Sequence, residues 1–532
     1  MPAQPTAPTL VPRPTEAAFR PGHFTLDADT ALRIGEGSEP AADLLRTLLA
    51  PATGLPLHPS PEGQFTLALD PASSEPGEFG GQGGFGGLGE EGYVLTIDPQ
   101  SVLLRAAHPT GLLRGIQTVR QLMPPAALSA DPQRVTRWLL PCADITDVPR
   151  HPWRGAMLDV ARHFQPVSYL RRYVDLLALH KISVFHLHLT DDQGWRMPVA
   201  AHPKLTEIGG HRAESQRGPA GSGTYDGIPH GGAYTRGELT GLVRYAAARG
   251  VTVVPEIEMP GHVRAALAAY PSLGNHPERT LDVWTRWGVC DTVLGVHDEV
   301  LDFCRGVLDE VMDVFPSPYI HLGGEECPTA EWTHSAAARE RAVAEGLSSP
   351  EALHGWFLGK VGEHVVRNGR RPVGWAETGA ELPPEFTVMT WRDPAHTLTA
   401  ARRGHSVINA HHRATYLDYA QSDDPKEPQA QPGAVVDLRA VHAHDPVPEN
   451  TDAGTGAGAE ADAQVAARVL GTQAQLWTEF VSTPAHIEYL TYPRLCALAD
   501  RGWSGATGWP DFRSRLDGHM ARLDALGVHH HP

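Results

Sequence analysis

Two adjacent carboxylates, Glu325 and Glu326, close the stretch Tyr319-Ile-His-Leu-Gly-Gly-Glu-Glu-Cys327. Like charges side by side resist joint ionisation, so one pKa rises, which suits a general acid working near neutral pH. The apolar run Tyr319 to Leu322 reads as a buried strand. Gly323 and Gly324 then turn the chain and let a ligand approach the backbone. A pair of solvated loop glutamates has the same local signature, so the stretch gains meaning only from what surrounds it.

Comparable groups follow other strand-like segments. Arg162 and His163 come after Ala156–Val160, and Asp191-Asp-Gln-Gly-Trp195 after Ser183–Leu189. Glu256, Glu258 and His262 lie at Thr252–Glu258, Trp375 and Glu377 end Pro372–Trp375, and Trp391 and Asp393 end Val388–Trp391. Tyr416 and Asp418 lie past Ser406–Ala410, and Trp477 and Glu479 close Val469–Leu476. Any one has a bland reading, since tryptophans are mostly core residues and Arg162 or Asp191 reads equally as half of a local structural ion pair. Their recurrence at the same end of successive strands is hard to explain by packing. Tryptophans match the C–H faces of a sugar ring, and Arg, Asp and Glu hydrogen-bond its hydroxyls. A phosphate would call for more Lys/Arg or a glycine cradle, and neither is evident.

The elements that must hold these groups alternate. Helical patterns lie between several strands: Tyr169 to His180, Asp298 to Phe315, and one from Ser349 to near Gly369. Strands alternating with helices predict an α/β chain with a (β/α)8 barrel, whose site is built at the C-terminal strand ends. Before it, residues 21–148 read as a small α+β domain, with a helix over Ala41–Ala50 ending before Pro51 and a hairpin turned at Asp98-Pro-Gln-Ser101. Residues 1–20 read as a flexible arm. Residues 149–532 form the barrel, interrupted by a loop over His211–Tyr234 and by an insertion around 422–467 whose composition predicts at least partial disorder.

Bulk properties narrow the function. A net charge of −18 opposes a nucleic-acid surface or an anionic membrane. No stretch approaches the roughly 20 apolar residues of a spanning helix, and the N-terminal residues lack the pattern of a signal peptide, so a cytoplasmic location is expected. Five cysteines without a CxxC pair suggest neither a disulfide scaffold nor structural zinc. No cofactor or metal is called for. An oligosaccharide or glycoconjugate is the expected partner, and a homo-oligomer stays open.

Six stretches together carry a family resemblance: Arg154-Gly-Ala-Met-Leu-Asp-Val-Ala-Arg-His-Phe164, His186-Leu-His-Leu-Thr-Asp-Asp-Gln-Gly-Trp195, Pro255-Glu-Ile-Glu-Met-Pro-Gly-His262, His321-Leu-Gly-Gly-Glu-Glu326, Gly374-Trp-Ala-Glu377 and Gln473-Ala-Gln-Leu-Trp-Thr-Glu479. They resemble, in order, the β-N-acetylhexosaminidases of glycoside hydrolase family 20. The resemblance implies exo-acting removal of terminal β-linked N-acetylglucosamine or N-acetylgalactosamine by a retaining mechanism in which the substrate's acetamido oxygen is the nucleophile. It implies Glu326 as general acid and base, Glu325 orienting the acetamido N–H, Tyr416 holding the acetamido oxygen, and Asp191 with His262 tuning Glu326. Arg162, Asp418 and Glu479 would bind hydroxyls, and Trp375, Trp391 and Trp477 would wall the pocket. One departure stands out: the family has Asp where this chain has Glu325. One methylene moves a carboxylate by about 1 Å, and a misplacement of that order costs roughly 10²-fold in rate. Two rivals remain: a sugar-binding barrel with weakened or lost catalysis, and a metal-dependent amidohydrolase-like barrel, suggested by His186-Leu-His188.

Overall fold

The computed structural model describes residues 9–70, 87–378, 382–449, 457–505 and 507–532. Its N-terminal domain is a six-stranded sheet in the spatial order Glu16–Leu26, Trp138–Asp147, Tyr93–Asp98, Ser101–Ala106, Phe65–Leu69, Leu32–Ile34. The predicted hairpin is present, with Asp98 paired to Ser101 at its tip. Helices Glu39–Thr53 and Pro109–Leu122 bury Leu44, Leu45, Ile116 and Val119 in one core with Leu95, Ile97 and Leu104 of the sheet. The first helix runs through Pro51 rather than stopping before it, and ends at Gly54 in the left-handed conformation (φ 64°). So near the helix end proline forfeits one backbone bond without breaking the last turn.

The arm expected over residues 1–20 is tied down wherever it is described. Val11 is fully buried, its N–H donates to Gln121 Oε1 at 2.9 Å, and its carbonyl accepts from Gln121 Nε2 at 2.7 Å. One side-chain amide thus replaces the partners a sheet would supply. From Glu16 the chain is already a strand. Residues 1–8, and the glycine-rich run 71–86, lie outside the described residues.

Eight parallel strands close the barrel: Trp153–Asp159, Val184–His188, Thr252–Glu256, Tyr319–His321, Arg371–Ala376, Thr387–Thr390, Val407–Asn409 and Val469–Ala474. The last pairs with the first through Gly471–Trp153 and Ala474–Ala156. Each overlaps one of the predicted segments. Alternation along the strands divides the apolar residues. Phe185 and Leu187 face the outer core with the helices, whereas Val184, Val254, Trp375, Met389 and Ile408 fill the barrel interior. Helix Asp298–Val314 contributes Val300, Cys304, Val307, Leu308 and Val311 to the outer core, as its periodicity predicts. All five cysteines are free.

Residues 211–234 are not one loop. They carry two short antiparallel pairs, His211–Arg212 with His230–Gly231 and Gln216–Arg217 with Thr224–Tyr225. The insertion expected to be disordered around 422–467 is also structured in most of its described part. Strand Gln431–Val435 pairs with Tyr419–Ala420, helix Leu438–Ala443 follows, and Val436 and Val441 are buried. Low-complexity composition concealed these few apolar anchors. Residues 450–456 lie outside the description. Among the described residues no helix is long and apolar enough to cross a membrane.

Candidate active site

A pocket opens at the C-terminal ends of the strands, and every residue to which the family resemblance gave a role lines it except Asp191, which lies directly behind His262; Glu256, Glu258, Glu377 and Asp393, also at strand ends, do not line it. The first strand ends in Asp159, whose Oδ1 accepts the N–H groups of Ala161 (2.8 Å) and Arg162 (3.0 Å). That turn aims the Arg162 guanidinium across the barrel mouth, where Nη2 meets Asp191 Oδ2 at 2.8 Å and Nε donates to Gln193 Oε1 at 2.8 Å. Its Cζ lies 5.1 Å from the centroid of the Trp477 ring, a cation–π contact. Burial works against the charge, but Asp191 and Asp159 hold Arg162 firmly protonated.

Asp191 is a hub. Besides Arg162 it accepts from His188 Nε2 at 3.0 Å and lies 3.2 Å from His262 Nδ1. Burial opposes its ionisation, yet Arg162 and His262 hold its pKa far below the ordinary carboxylate range. His262, at φ 51°, also places Nδ1 3.1 Å from Asp192 Oδ2 and Nε2 3.8 Å from Glu326 Oε2. Against the cost of burial, Asp191 raises the His262 pKa well above its usual value, so the ring is an imidazolium. A left-handed backbone at a non-glycine residue is strained, and here it recurs at Glu326 (φ 47°).

The two adjacent glutamates occupy different environments. Glu326 is the accessible one, its side chain 32% exposed. Its N–H donates to Glu377 Oε1 at 3.1 Å, and Arg392 Nη2 reaches its Oε1 at 3.4 Å. The contact with His262 holds the Glu326 pKa below the usual range. Glu325 is buried, 8% exposed, with Oε2 lacking a hydrogen-bond partner. Burial, then the nearby Glu256 charge, lifts its pKa to about 8. The acid pair therefore splits, but with the accessible member as the stronger acid in the free protein.

Around these carboxyls stand the walls. The Trp391 and Tyr416 rings stack at 6.2 Å with 17° between planes, Trp477 lies 6.0 Å from Trp375, and Trp375 Nε1 donates to Glu256 at 2.7 Å. Asp418 and Glu479 face one another across the floor; burial and that mutual repulsion push Asp418 well up, and burial raises Glu479.

Several contributors escaped the sequence reading. Tyr419 and Gln431 line the pocket. Tyr419 follows Asp418 closely enough to have been found, whereas Gln431 sits in the insertion read as disordered. Arg392, which with the strand-end Glu377 already noted brackets Glu326, also escaped it, since an arginine beside a strand-end tryptophan carries no distinguishing signal.

The metal reading can be tested on donor chemistry. His186, His188 and His321 surround Glu256. His188 donates Nδ1–H to Glu256 and Nε2–H to Asp191, and despite burial Glu256 lifts its pKa to about 10. With a proton on each nitrogen, His188 has no lone pair for an ion. It acts as a cationic strut between two carboxylates.

Parallel strands closed into a barrel, with a tryptophan-walled pocket of carboxyls at their C-terminal ends, define a glycosidase-type (β/α)8 barrel. Residues 151–506 match the catalytic domain of glycosyl hydrolase family 20, and residues 7–148 match domain 2 of that family. The chain belongs to glycosyl hydrolase family 20. The β-hexosaminidase of Porphyromonas gingivalis is 34% identical over 528 residues, covering 98% of this chain, which spans only 64% of that protein's length. The β-hexosaminidase of Akkermansia muciniphila is 36% identical over 442 residues, covering 81% of this chain and 83% of the relative. Among solved structures, Streptomyces plicatus N-acetyl-β-hexosaminidase aligns at 33% identity with a TM-score of 0.81, covering 100% of this chain and 98% of that one. The exo-β-N-acetylglucosaminidase of Vibrio harveyi, solved with N-acetylglucosamine, aligns at 29% identity with a TM-score of 0.85, covering 98% and 78%.

Proposed function

We propose that this protein removes a terminal, non-reducing β-linked N-acetylhexosamine from an oligosaccharide or glycoconjugate, with retention and by substrate-assisted catalysis. The observation that carries this reading is the division of labour in one pocket. Glu326 alone of the acid pair is open to an incoming glycosidic oxygen, while Glu325 is sunk beside Tyr416.

Glu326 protonates the leaving oxygen. In the free site it is a carboxylate beside the His262 imidazolium; an aglycone covering it excludes water and favours passage of the His262 proton to Glu326. His262 then rests on Asp191 and Asp192. The substrate's acetamido oxygen attacks the anomeric carbon as the glycosidic bond breaks. Glu325 accepts the acetamido N–H and balances the positive charge that grows on it, and Tyr416 donates to the acetamido oxygen. Glu326, now a base, takes a proton from the water that opens the intermediate. Arg162, Asp418 and Glu479 orient hydroxyls, and Trp375, Trp391 and Trp477 hold the ring faces.

The test is turnover of an aryl N-acetyl-β-hexosaminide with the product anomer read by NMR. Initial release of the β-anomer and inhibition by a thiazoline mimic of the intermediate are expected. Release of the α-anomer would remove the substrate-assisted reading, and binding of N-acetylglucosamine without turnover would favour the sugar-binding barrel.

A further inference from the structure

Glu258 has no part in the roles above, yet it lies beneath the centre of the site. It follows the third barrel strand, is 2% exposed, and packs on the backbone that leads into the acid pair. Gly324 N–H donates to its Oε2 at 3.4 Å, and a Cβ on Gly323 would stand 1.8 Å from the same oxygen. Gly323 (φ 64°) is therefore required as glycine twice over, by conformation and by the carboxyl against it.

Glu258 and Glu325 each keep one buried oxygen, Oε1 and Oε2 respectively, without a hydrogen-bond partner. The groups facing them offer no spare cation. From the second strand, His188 Nδ1 is 4.0 Å from Glu258 Oε1, but its protons go to Glu256 and Asp191. Glu256 at the end of the third strand and Asp191 after the second add negative charge, and His262 is committed to Asp191 and Asp192. Tyr416, past the seventh strand, faces Glu325 and is neutral. An unpaired buried carboxylate is costly enough that such a group takes up a proton instead.

We propose that Glu258 is a permanently protonated carboxylic acid that donates its O–H to Glu325, making it a positioning residue that keeps Glu325 ionisable and aimed at the substrate. The assignment rests on Glu325 being the acetamido partner. The direction of the shifts agrees. Burial, then the Glu325 charge, drives Glu258 well above the carboxylate range, while Glu325 rises only to about 8, so the first proton belongs to Glu258. Two carboxyls that cannot both ionise share a site in this way.

The experiment compares Glu258→Gln with Glu258→Met through the acidic limb of kcat/KM, which reports ionisation of Glu325 in the free enzyme. Glutamine is neutral and still donates, so the limb should stay where it is in the wild type. Methionine cannot donate, so the limb should move up by about one pH unit, a tenfold change in proton affinity. A downward move in Glu258→Gln would show that Glu258 was an anion repelling Glu325 and overturn the proposal. So would a lowered kcat in Glu258→Met with the limb unmoved, the mark of a residue that merely fills space. The wild-type protein supplies a readout independent of turnover. Infrared spectra of protein carrying ¹³C-labelled glutamate should keep a protonated-carboxyl band about one pH unit above the Glu325 transition that Glu258→Gln lacks, and absence of the band, or its persistence in Glu258→Gln, sinks the idea. If the wild type shows the band but hydrolyses no N-acetylhexosaminide, the functional reading fails and the Glu258 assignment stands.

Discussion

The two ends of the barrel handle buried charge in opposite ways. At the N-terminal end, Asp147 accepts from Lys181 Nζ (2.6 Å), Tyr93 Oη (2.7 Å), Trp503 Nε1 (2.7 Å) and the Thr15 N–H (3.0 Å). Nearby, Arg114 gives protons to Glu91 and to the carbonyls of Ile182 (3.1 Å) and Gly250 (2.7 Å), and Arg154 also pairs with Glu91. These clusters bolt the N-terminal domain to the barrel, with the four bonds to Asp147 sharing its two oxygens. At the C-terminal end, Glu258, Glu325 and Asp418 each hold a buried oxygen without a partner. Buried polar groups are normally satisfied, so the two of these that line the pocket, Glu325 and Asp418, mark where a ligand's hydrogen bonds are expected. The contrast separates charge that holds the fold together from charge kept ready for a sugar.

The contrast predicts that variants at the two ends fail differently. Glu326→Gln should lower kcat by roughly 10²–10⁴-fold, the range for loss of a general acid, with thermal unfolding unchanged; a small loss would dismiss Glu326 as the acid. At the opposite end, Asp147→Ala strands the buried Lys181 charge and should cost about 3–5 kcal/mol of stability. Activity per folded molecule should survive it, and denaturant titration alongside kcat would separate the two. Glu325→Asp should lower kcat by roughly 10²-fold, because retracting the carboxyl by one methylene draws it from a pocket built around the longer side chain. A rise in kcat would instead mark the extra methylene as a handicap.

Smaller effects concern pH. Glu325 has a folded pKa of about 8 against an unfolded value near 4.3. Between those values the native state binds a proton that the unfolded state does not, so its contribution to stability is full at the acid end and shrinks as pH rises. The slope reaches about −1.4 kcal/mol per pH unit. The melting temperature of Glu325→Gln should accordingly fall less than the wild type's between about pH 5 and 8; parallel curves would mean that Glu325 is not protonated in the fold. Last, Arg392→Ala removes a half-exposed cation 3.4 Å from Glu326. It should move the alkaline limb of kcat/KM upward by less than about one pH unit, since screened surface pairs are weak. A downward move would contradict the sign of that contact.

Much of this site was legible along the chain. Strand ends in a (β/α)8 barrel converge on one face, so residues after each apolar run could be collected without coordinates, and Arg162, His262, Glu326, Tyr416 and Trp477 do meet in one pocket. Gln431 was not legible, because its segment orders through a few apolar contacts within a polar run. Arg13, tied to Asp500 through its backbone N–H at 2.8 Å, was hidden likewise: partners hundreds of residues apart leave no local pattern.

Local chemistry and periodicity thus set the barrel and the side chains at its mouth, and the family resemblance, not the spacing, pointed to Glu326 as the proton-handling group. They could not set which carboxyls carry protons. Ionisation depends on desolvation and on charges that only folding brings within a few ångströms. The same residue type is an anion at Glu256 among three histidines and a weak acid at Glu325. Adjacent in the chain, Glu325 and Glu326 differ because one is sunk above Glu258 and the other stands open beside His262 and Arg392. That difference arises from the packing of three separate strand ends, and no stretch of sequence contains it.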